Sequence, residues 1–345
     1  MDVATFGSSC SPVTVQFVKN LNAKEHASRY PMASRAIIDN HYVDDYLQSF
    51  SSEEEAQQTA AEVKLVHRNG GFILRNWASN SKSVLEHLGE SHEMSSKSLN
   101  LSDNESTNRV LGILWKPSSD ELMICTQMRS EVKALIEHDA KPTKRQILRC
   151  VMTFFDPLGL LSPFLIHGKV LIQDLWRSGV NWDGEISNSV FQNWKRWMKM
   201  VDFISTIRLP RSYFNFATVN TYDNAELHTF VDASEIAYAC AVYIRVTQYN
   251  GEVKCALVSA KSKVAPLKPT SIPRLELQAC VLGVRLSKFI QEHHTVSLKR
   301  RFFWTDSRTA KSWIQADPRN YRLFVAHKVA EILEFTRPDE WKWVP

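Results

Sequence analysis

Apolar positions along the chain fall at helical spacing in some stretches and gather into short β-prone runs in others. A turn-rich entry, Phe6-Gly7-Ser8-Ser9-Cys10-Ser11-Pro12, precedes Val15, Val18, Lys19 and Leu21, a capped helix start. Ala36-Ile37-Ile38 and His41-Tyr42-Val43 on one side, and Tyr46-Leu47 on the other, flank Asp44-Asp45, so this stretch predicts a tight hairpin with two carboxylates at the turn. Ser52 with Glu55 reads as a capping box for a helix carrying Ala56, Ala60, Val63 and Val66, and Gly70-Gly71 ends it. Residues 72–77 read as a strand. The polar stretch 89–108 reads as a surface loop, and 110–115 and 121–125 as two strands of a hairpin. From about 126 the spacing turns helical. Thr143 is a candidate N-cap for Ile147, Leu148, Val151, Phe154 and Phe155, and Asp156-Pro157-Leu158-Gly159 breaks that helix. A second helix carries Leu165 to Trp176, and a third carries Phe191, Trp194 and Trp197, an aromatic stripe that reads as core.

After Pro210 the composition shifts, and a boundary is placed near 211–225. Residues 227–231, 237–246 and 253–259 are β-prone runs. The last two are joined through Asn250-Gly251, the strongest hairpin signal in the chain, so three strands are expected as a meander. A Pro/Lys linker at 265–269 leads to a helix over 273–291. A strand over 302–305, helices over 308–314 and 323–335, and a strand from 341 follow. That order predicts a mixed sheet with helices packed on it.

The length of 345 residues leaves room for two or three domains, and 44% hydrophobic residues is ordinary for a globular chain. A net charge of +5 permits a nucleic-acid partner without demanding one. Basic residues gather at 141–149 and at Lys299-Arg300-Arg301. Cys10, Cys125, Cys150, Cys240, Cys255 and Cys280 form no zinc-ligand spacing, and several sit in apolar runs, which suits a reducing, intracellular setting. The first residues lack the pattern of a signal peptide, and no window approaches the roughly 18 apolar residues of a membrane span.

The candidate chemistry lies in carboxylates. Asp232 stands where the strand Phe230-Val231 stops, Glu276 lies in the helix opened by Pro273, and Asp306 ends the run Phe302-Phe303-Trp304-Thr305. One carboxylate on each of three elements is what a fold must supply to gather acids around a divalent ion. Asp44-Asp45 is a second acidic pair, held close only if a cation compensates or water screens it.

In order, these residues resemble the reverse transcriptase and ribonuclease H part of a retrotransposon polyprotein, of the BEL/Pao group of LTR elements. Tyr42-Val43-Asp44-Asp45 is similar to the polymerase YxDD motif, and Phe6-Gly7 through Ser11-Pro12 to the nucleotide-pocket segment before it. Gly71-Phe72, Leu74-Arg75-Asn76-Trp77 and Leu111-Gly112 to Trp115 resemble later palm strands with the primer-grip hairpin. Phe155-Asp156-Pro157-Leu158-Gly159-Leu160-Leu161-Ser162-Pro163, with Gln173, Leu175-Trp176 and Trp182-Asp183, resembles the segment joining polymerase to ribonuclease H in this group. Asp232-Ala233-Ser234, Arg274-Leu275-Glu276-Leu277 and Thr305-Asp306-Ser307 resemble the ribonuclease H core.

The resemblance implies a multidomain α+β and α/β chain. Residues 1–125 would be a partial reverse transcriptase palm, 126–215 a mostly helical thumb and connection segment, and 222–345 an RNase H-like mixed sheet with flanking helices. It implies Mg²⁺ or Mn²⁺ held by Asp44 and Asp45 in one half and by Asp232, Glu276 and Asp306 in the other. The implied chemistry is two-metal phosphoryl transfer, with partners that are an RNA–DNA hybrid or other nucleic acid and the rest of the polyprotein. The family also uses a palm aspartate upstream of the pocket segment, and a fourth carboxylate after a stretch like Trp341-Lys342-Trp343-Val344-Pro345. Neither stands in this sequence, so both metal sites are expected to be incomplete here. The alternative is a non-enzymatic remnant that binds nucleic acid or protein. An aspartic peptidase would need an Asp-Ser/Thr-Gly loop, and none occurs.

Overall fold

A computed structural model of the chain describes residues 10–89, 108–110, 113–126, 128, 130–214, 225–248, 250–294 and 296–345. Phe6 to Ser9, most of the polar stretch 89–108, Leu111-Gly112 and most of the boundary region 211–225 lie outside the described residues. The chain divides into two compact units, Met1–Leu122 and Met123–Pro345.

In the first unit, α1 (Ser11–Glu25), α2 (Pro31–Asp39) and α3 (Glu53–Asn69) pack around Ala23, Ala33, Ala36, Ile37, Val63 and Val66. Residues 36–39, expected as one arm of the hairpin, are the end of α2, which Pro31 opens. The hairpin itself is short, β1 (His41–Tyr42) against β2 (Asp45–Tyr46). Half of the expected capping box of α3 forms: Ser52 Oγ accepts from the Glu55 N–H at 3.2 Å, while the Glu55 carboxylate reaches the Ser51 N–H rather than that of Ser52. Helix α4 (Lys82–His87) adds Val84 to a small satellite core with Ala60 and Leu88. Residues 72–77, expected as a strand, take no regular secondary structure and join no ladder among the described residues, and Asn76 turns to φ +58°. Leu74 and Trp77 meet their apolar preference by packing on the helical core instead. On α1 the expectation inverts: Val13, Phe17, Val18 and Leu21 face solvent while Lys19 is buried. Strands β3 (Asn108–Val110), β4 (Ile113–Lys116) and β5 (Glu121–Ile124) follow, β3 pairing antiparallel with β4.

The second unit holds two cores. The first is helical, from α5 (Ser130–Glu137), α6 (Lys144–Val151), α7 (Ser162–Arg177), α8 (Asn188–Lys199) and α9 (Val201–Ser205), ahead of β6 (Arg208–Pro210). Thr143 caps α6 in a full capping box with Gln146. Trp194 and Trp197 are buried, as the core reading of the stripe requires, and Phe164 stacks on Trp197 at 4.7 Å. Phe154 and Phe155 fall outside α6, which ends at Val151.

The second core is covered by a five-stranded mixed sheet of β7 (Ala225–Ala233), β8 (Ala237–Thr247), β9 (Val253–Val264), β10 (Leu298–Thr305) and β11 (Trp341–Trp343), in the order β11-β10-β7-β8-β9. The expected meander β7-β8-β9 is antiparallel, and β10 and β11 join in parallel. Residues alternate across each strand. Leu227, Val231, Val242, Ile244 and Phe303 enter a core shared with α10 (Ile272–His293), α11 (Arg308–Gln315) and α12 (Leu323–Phe335).

The two cores meet at β9. The carbonyl of Leu158 accepts from the Ala260 N–H at 2.9 Å and from Ser259 Oγ at 2.7 Å. Gln173 Nε2 on α7 donates to the Ala265 carbonyl at 2.6 Å. Gly159 sits so close that a Cβ there would lie 1.7 Å from the Ala260 carbonyl oxygen, and its φ of +75° is itself one that side chains avoid. Asp156 shapes this loop by accepting the N–H groups of Leu160 and Leu161 at 2.8 and 2.7 Å. Burial raises its carboxyl above the usual range.

Candidate functional site

The parallel register of β7 and β10 pairs Val231 with Thr305, so Asp232 and Asp306 follow side by side at the carboxyl ends of adjacent strands. Glu276 reaches the same point from the first turns of α10, which packs on β7 and β8. Gly283, seven residues on and on the same helix face, permits that approach. A Cβ there would meet Val231 Cγ1 at 2.5 Å and Thr229 Cγ2 at 3.0 Å. One ligand atom from each of Asp232, Glu276 and Asp306 lies within 4.8 Å of the others.

The environment of the three differs. Asp232 and Asp306 are exposed, whereas Glu276 is 5% exposed. Its Oε2 is buried without a hydrogen-bond partner among the described residues. Burial first, then the charges of Asp306 and Asp232, push the Glu276 carboxyl up to about 7. One turn further along, burial and then the Glu276 charge push the Cys280 thiol up as well. Asp232 Oδ1 accepts from the Ala233 N–H at 2.7 Å, and the Asp306 carbonyl accepts from Trp343 Nε1 at 2.8 Å.

This donor set fits a hard divalent cation. All the ligands are carboxylate oxygens, and their spacing is near the roughly 4.2 Å between opposite ligands on one Mg²⁺. A buried carboxylate with an unpartnered oxygen, in a cluster with two other acids, is costly unless a cation joins it.

Asp44 and Asp45 belong to the first unit, Asp232, Glu276 and Asp306 to the second. Tyr42 pairs with Asp45 across a two-residue turn of Val43 and Asp44, so Asp45 opens β2 rather than sharing the tip. Val43 takes φ +52°, a costly conformation for a β-branched residue. Gln16 on α1 holds that turn by donating to the Val43 carbonyl at 2.6 Å. Both aspartates are exposed, and among the described residues neither belongs to a group of three metal-ligating side chains. Beneath the hairpin, His41 Nε2 and His67 Nε2 lie 3.1 Å apart.

The basic runs of the sequence are largely spent on internal partners. Arg145 pairs with Asp183 at 2.8 Å, and Lys144 lies over the Trp176 ring at 3.5 Å. Arg300 pairs with Glu226, and Arg301 with Glu340 at 2.9 Å. Lys299, Arg300, Arg301, Arg337 and Lys342 line a cleft of about 480 Å³ at the end of β10 away from the acids.

A mixed five-stranded sheet with two strand-end aspartates and a helix-borne glutamate is the architecture of an RNase H-like domain. The family comparison agrees: residues 143–307 match the family described as Pao retrotransposon-like RNaseH-like domain. Among curated proteins none matches the chain. Among solved structures, the chain is similar to a foamy viral protease-reverse transcriptase described as dRH in complex with ds DNA, with 13% identity and a TM-score of 0.47, covering 97% of this chain and 48% of that one. A second foamy viral protease-reverse transcriptase, in complex with dsDNA, is matched at 13% identity and a TM-score of 0.47, over 99% of this chain and 59% of that one. RNase H1 from the halophilic archaeon Halobacterium salinarum is matched at 12% identity and a TM-score of 0.23, over 35% of this chain and 86% of that one. The chain thus spans about half the length of the foamy viral chains it matches. Among the described residues no helix is long and apolar enough to cross a membrane.

Gly283 and Trp343 were not read from the sequence as parts of the site. A glycine inside an apolar helix stripe was the available signal for close helix–strand approach. For Trp343 the signal was only its place in the family-like stretch Trp341-Lys342-Trp343-Val344-Pro345, because the contact with Asp306 depends on the register of β11.

Proposed function

We propose that the second unit is a retroelement ribonuclease H that hydrolyses RNA in RNA–DNA hybrids, with Asp232, Glu276 and Asp306 holding Mg²⁺ or Mn²⁺. The single observation that carries this reading is the convergence of three carboxylates from three elements, with the Glu276 oxygen buried and unpartnered. When bound, such ions stabilise the attacking and leaving oxygens of an in-line displacement at phosphorus. The chain's own contribution is placement. Asp232 and Asp306 are set by strand register, and Glu276 by the seat of α10 over β7. Glu276, with its carboxyl near 7, gives up its proton readily once a cation arrives. The exposed pair at the rim leaves the cluster open to a phosphate backbone. Recognition of the hybrid then falls to backbone, 2′-hydroxyls and shape.

The first unit is read as part of a reverse transcriptase palm, with Asp44 and Asp45 as the aspartates that would face a metal-bound triphosphate. Its support is the Tyr42-Val43-Asp44-Asp45 turn, closed on a strained Val43 and pinned by Gln16. Partners are the hybrid and the remainder of the polyprotein.

The test is cleavage of an RNA–DNA hybrid by the whole chain in Mn²⁺ or Mg²⁺. Cleavage that disappears in Asp232→Asn is expected. A chain that binds hybrid equally with and without divalent ions, and never cuts it, would instead be a nucleic-acid-binding remnant.

A further inference from the structure

The three carboxylates are anchored differently. Glu276 is fixed by burial on α10, and Asp232 by the bond to its own turn. The Asp306 carboxylate is exposed, and among the described residues it has no hydrogen-bond or ion-pair partner. Three like charges at such short range repel, so the least anchored one is free to swing away before a cation binds.

What holds Asp306 is its backbone, and one side chain does most of it. Val344 N–H donates to the Thr305 carbonyl at 3.1 Å, and Ser307 N–H to Thr305 Oγ1 at 3.1 Å. Among the described residues, the Trp343 indole alone reaches the Asp306 peptide itself, donating to its carbonyl at 2.8 Å. The face of the same indole lies under the Arg308 guanidinium, 4.4 Å from ring centroid to carbon. Ser307 between them is the N-cap of α11, accepting the Ala310 N–H at 3.1 Å. One indole therefore grips both ends of the strand-to-helix turn that carries Asp306. Trp341, two residues earlier, plays another part, since it is buried, stacks on Phe303 at 4.9 Å and belongs to the core. Trp343 is half-buried and belongs to no core cluster among the described residues.

We propose that Trp343 is a positioning residue for the acid cluster, fixing the Asp306 peptide so that its carboxylate stands at cation-sharing distance before the ion arrives. The proposal rests on the reading of Asp232, Glu276 and Asp306 as a divalent-cation site. Partners of this kind, which orient a ligand without touching the ion, typically govern metal affinity by about 10–100-fold.

The test uses the whole chain and Mn²⁺ alone, titrated by calorimetry or by the loss of the free-ion electron-spin signal. Trp343→Phe keeps a ring under Arg308 and removes the N–H. Its Mn²⁺ affinity is expected to fall at least about tenfold while the urea midpoint stays with the parent. Trp343→His, which restores a ring N–H, is expected to recover part of the affinity. Trp341→Phe should do the reverse, lowering the midpoint and leaving affinity intact in the folded protein. Trp343→Phe that binds Mn²⁺ like the parent, or fails to fold, overturns the positioning role. If the parent binds Mn²⁺ no more tightly than Asp232→Asn does, the cation-site reading falls and takes this one with it.

Discussion

Replacing Glu276 by Gln removes the one carboxylate that the fold buries against two others, and the consequence can be worked out for the metal-free protein. The Glu276 carboxyl stands at about 7, against 4.5 for the same group in an open chain. Below pH 4.5 both folded and unfolded chains carry the proton, and the group contributes nothing. Between 4.5 and 7 the unfolded chain releases the proton while the folded one keeps it, so stability falls as pH rises. Above 7 both states are ionised, and the full cost of holding the charge inside is present. At 1.36 kcal/mol for each pKa unit this is about 3 kcal/mol. Glu276→Gln escapes that cost. In EDTA, urea unfolding should find the variant close to the parent at pH 4.5 and more stable by about 3 kcal/mol at pH 8. Saturating Mn²⁺ should narrow or reverse the gap, because only the parent gains from binding. A stability difference that stays flat from pH 4.5 to pH 8 would refute the burial and repulsion argument, whether or not the protein cleaves a hybrid.

Gly159→Ala places a Cβ against the Ala260 backbone at a residue with φ +75°, so neither side-chain rotation nor relaxation of a flexible neighbour relieves it. A loss of about 1–3 kcal/mol from overpacking, with backbone strain added, is expected in thermal unfolding, and a stability equal to the parent would show that the loop does not dock on β9 as described. In the first unit, burial and the charge of Lys19 hold His67 at about 4, and burial, Lys19 and His67 do the same for His41. Because these values lie below the ordinary 6.5, their neutral packing is fully tolerated above that pH and is lost as pH falls toward 4. Amide hydrogen exchange of residues 41–46 should accelerate over that window relative to α6, whose capping box carries no titrating group, and uniform protection would refute it.

Much of the second unit was legible because its signals are local. The meander follows from β-prone runs and Asn250-Gly251, and the caps of α3 and α6 follow from side chains at fixed offsets. The acid cluster was readable as three residue types at element ends, but its closeness depends on two things no window contains. One is the parallel register that sets Val231 beside Thr305, and the other is the seat that Gly283 gives α10. Where the sequence misled, tertiary packing overrode local preference. Residues 72–77 have strand composition but find a helical surface to pack on. Helix α2 was hidden because Ala36-Ile37-Ile38 is too short a run to separate helix from strand without weighing Pro31 as a helix opener. Lys19 is buried and Phe17 exposed on α1, which a rule of apolar-inside cannot anticipate.

Strand β9 is the outermost member of its sheet, and such a strand offers a row of open backbone groups to any other extended chain. The carbonyl of Leu158 already occupies the Ala260 N–H, and the close approach of Gly159 leaves no room for another strand beside it. The loop between α6 and α7 is therefore a guard against self-association. A protein pared back to residues 222–345 would bare this rim, and insoluble, sheet-rich assemblies are the fate its edge invites.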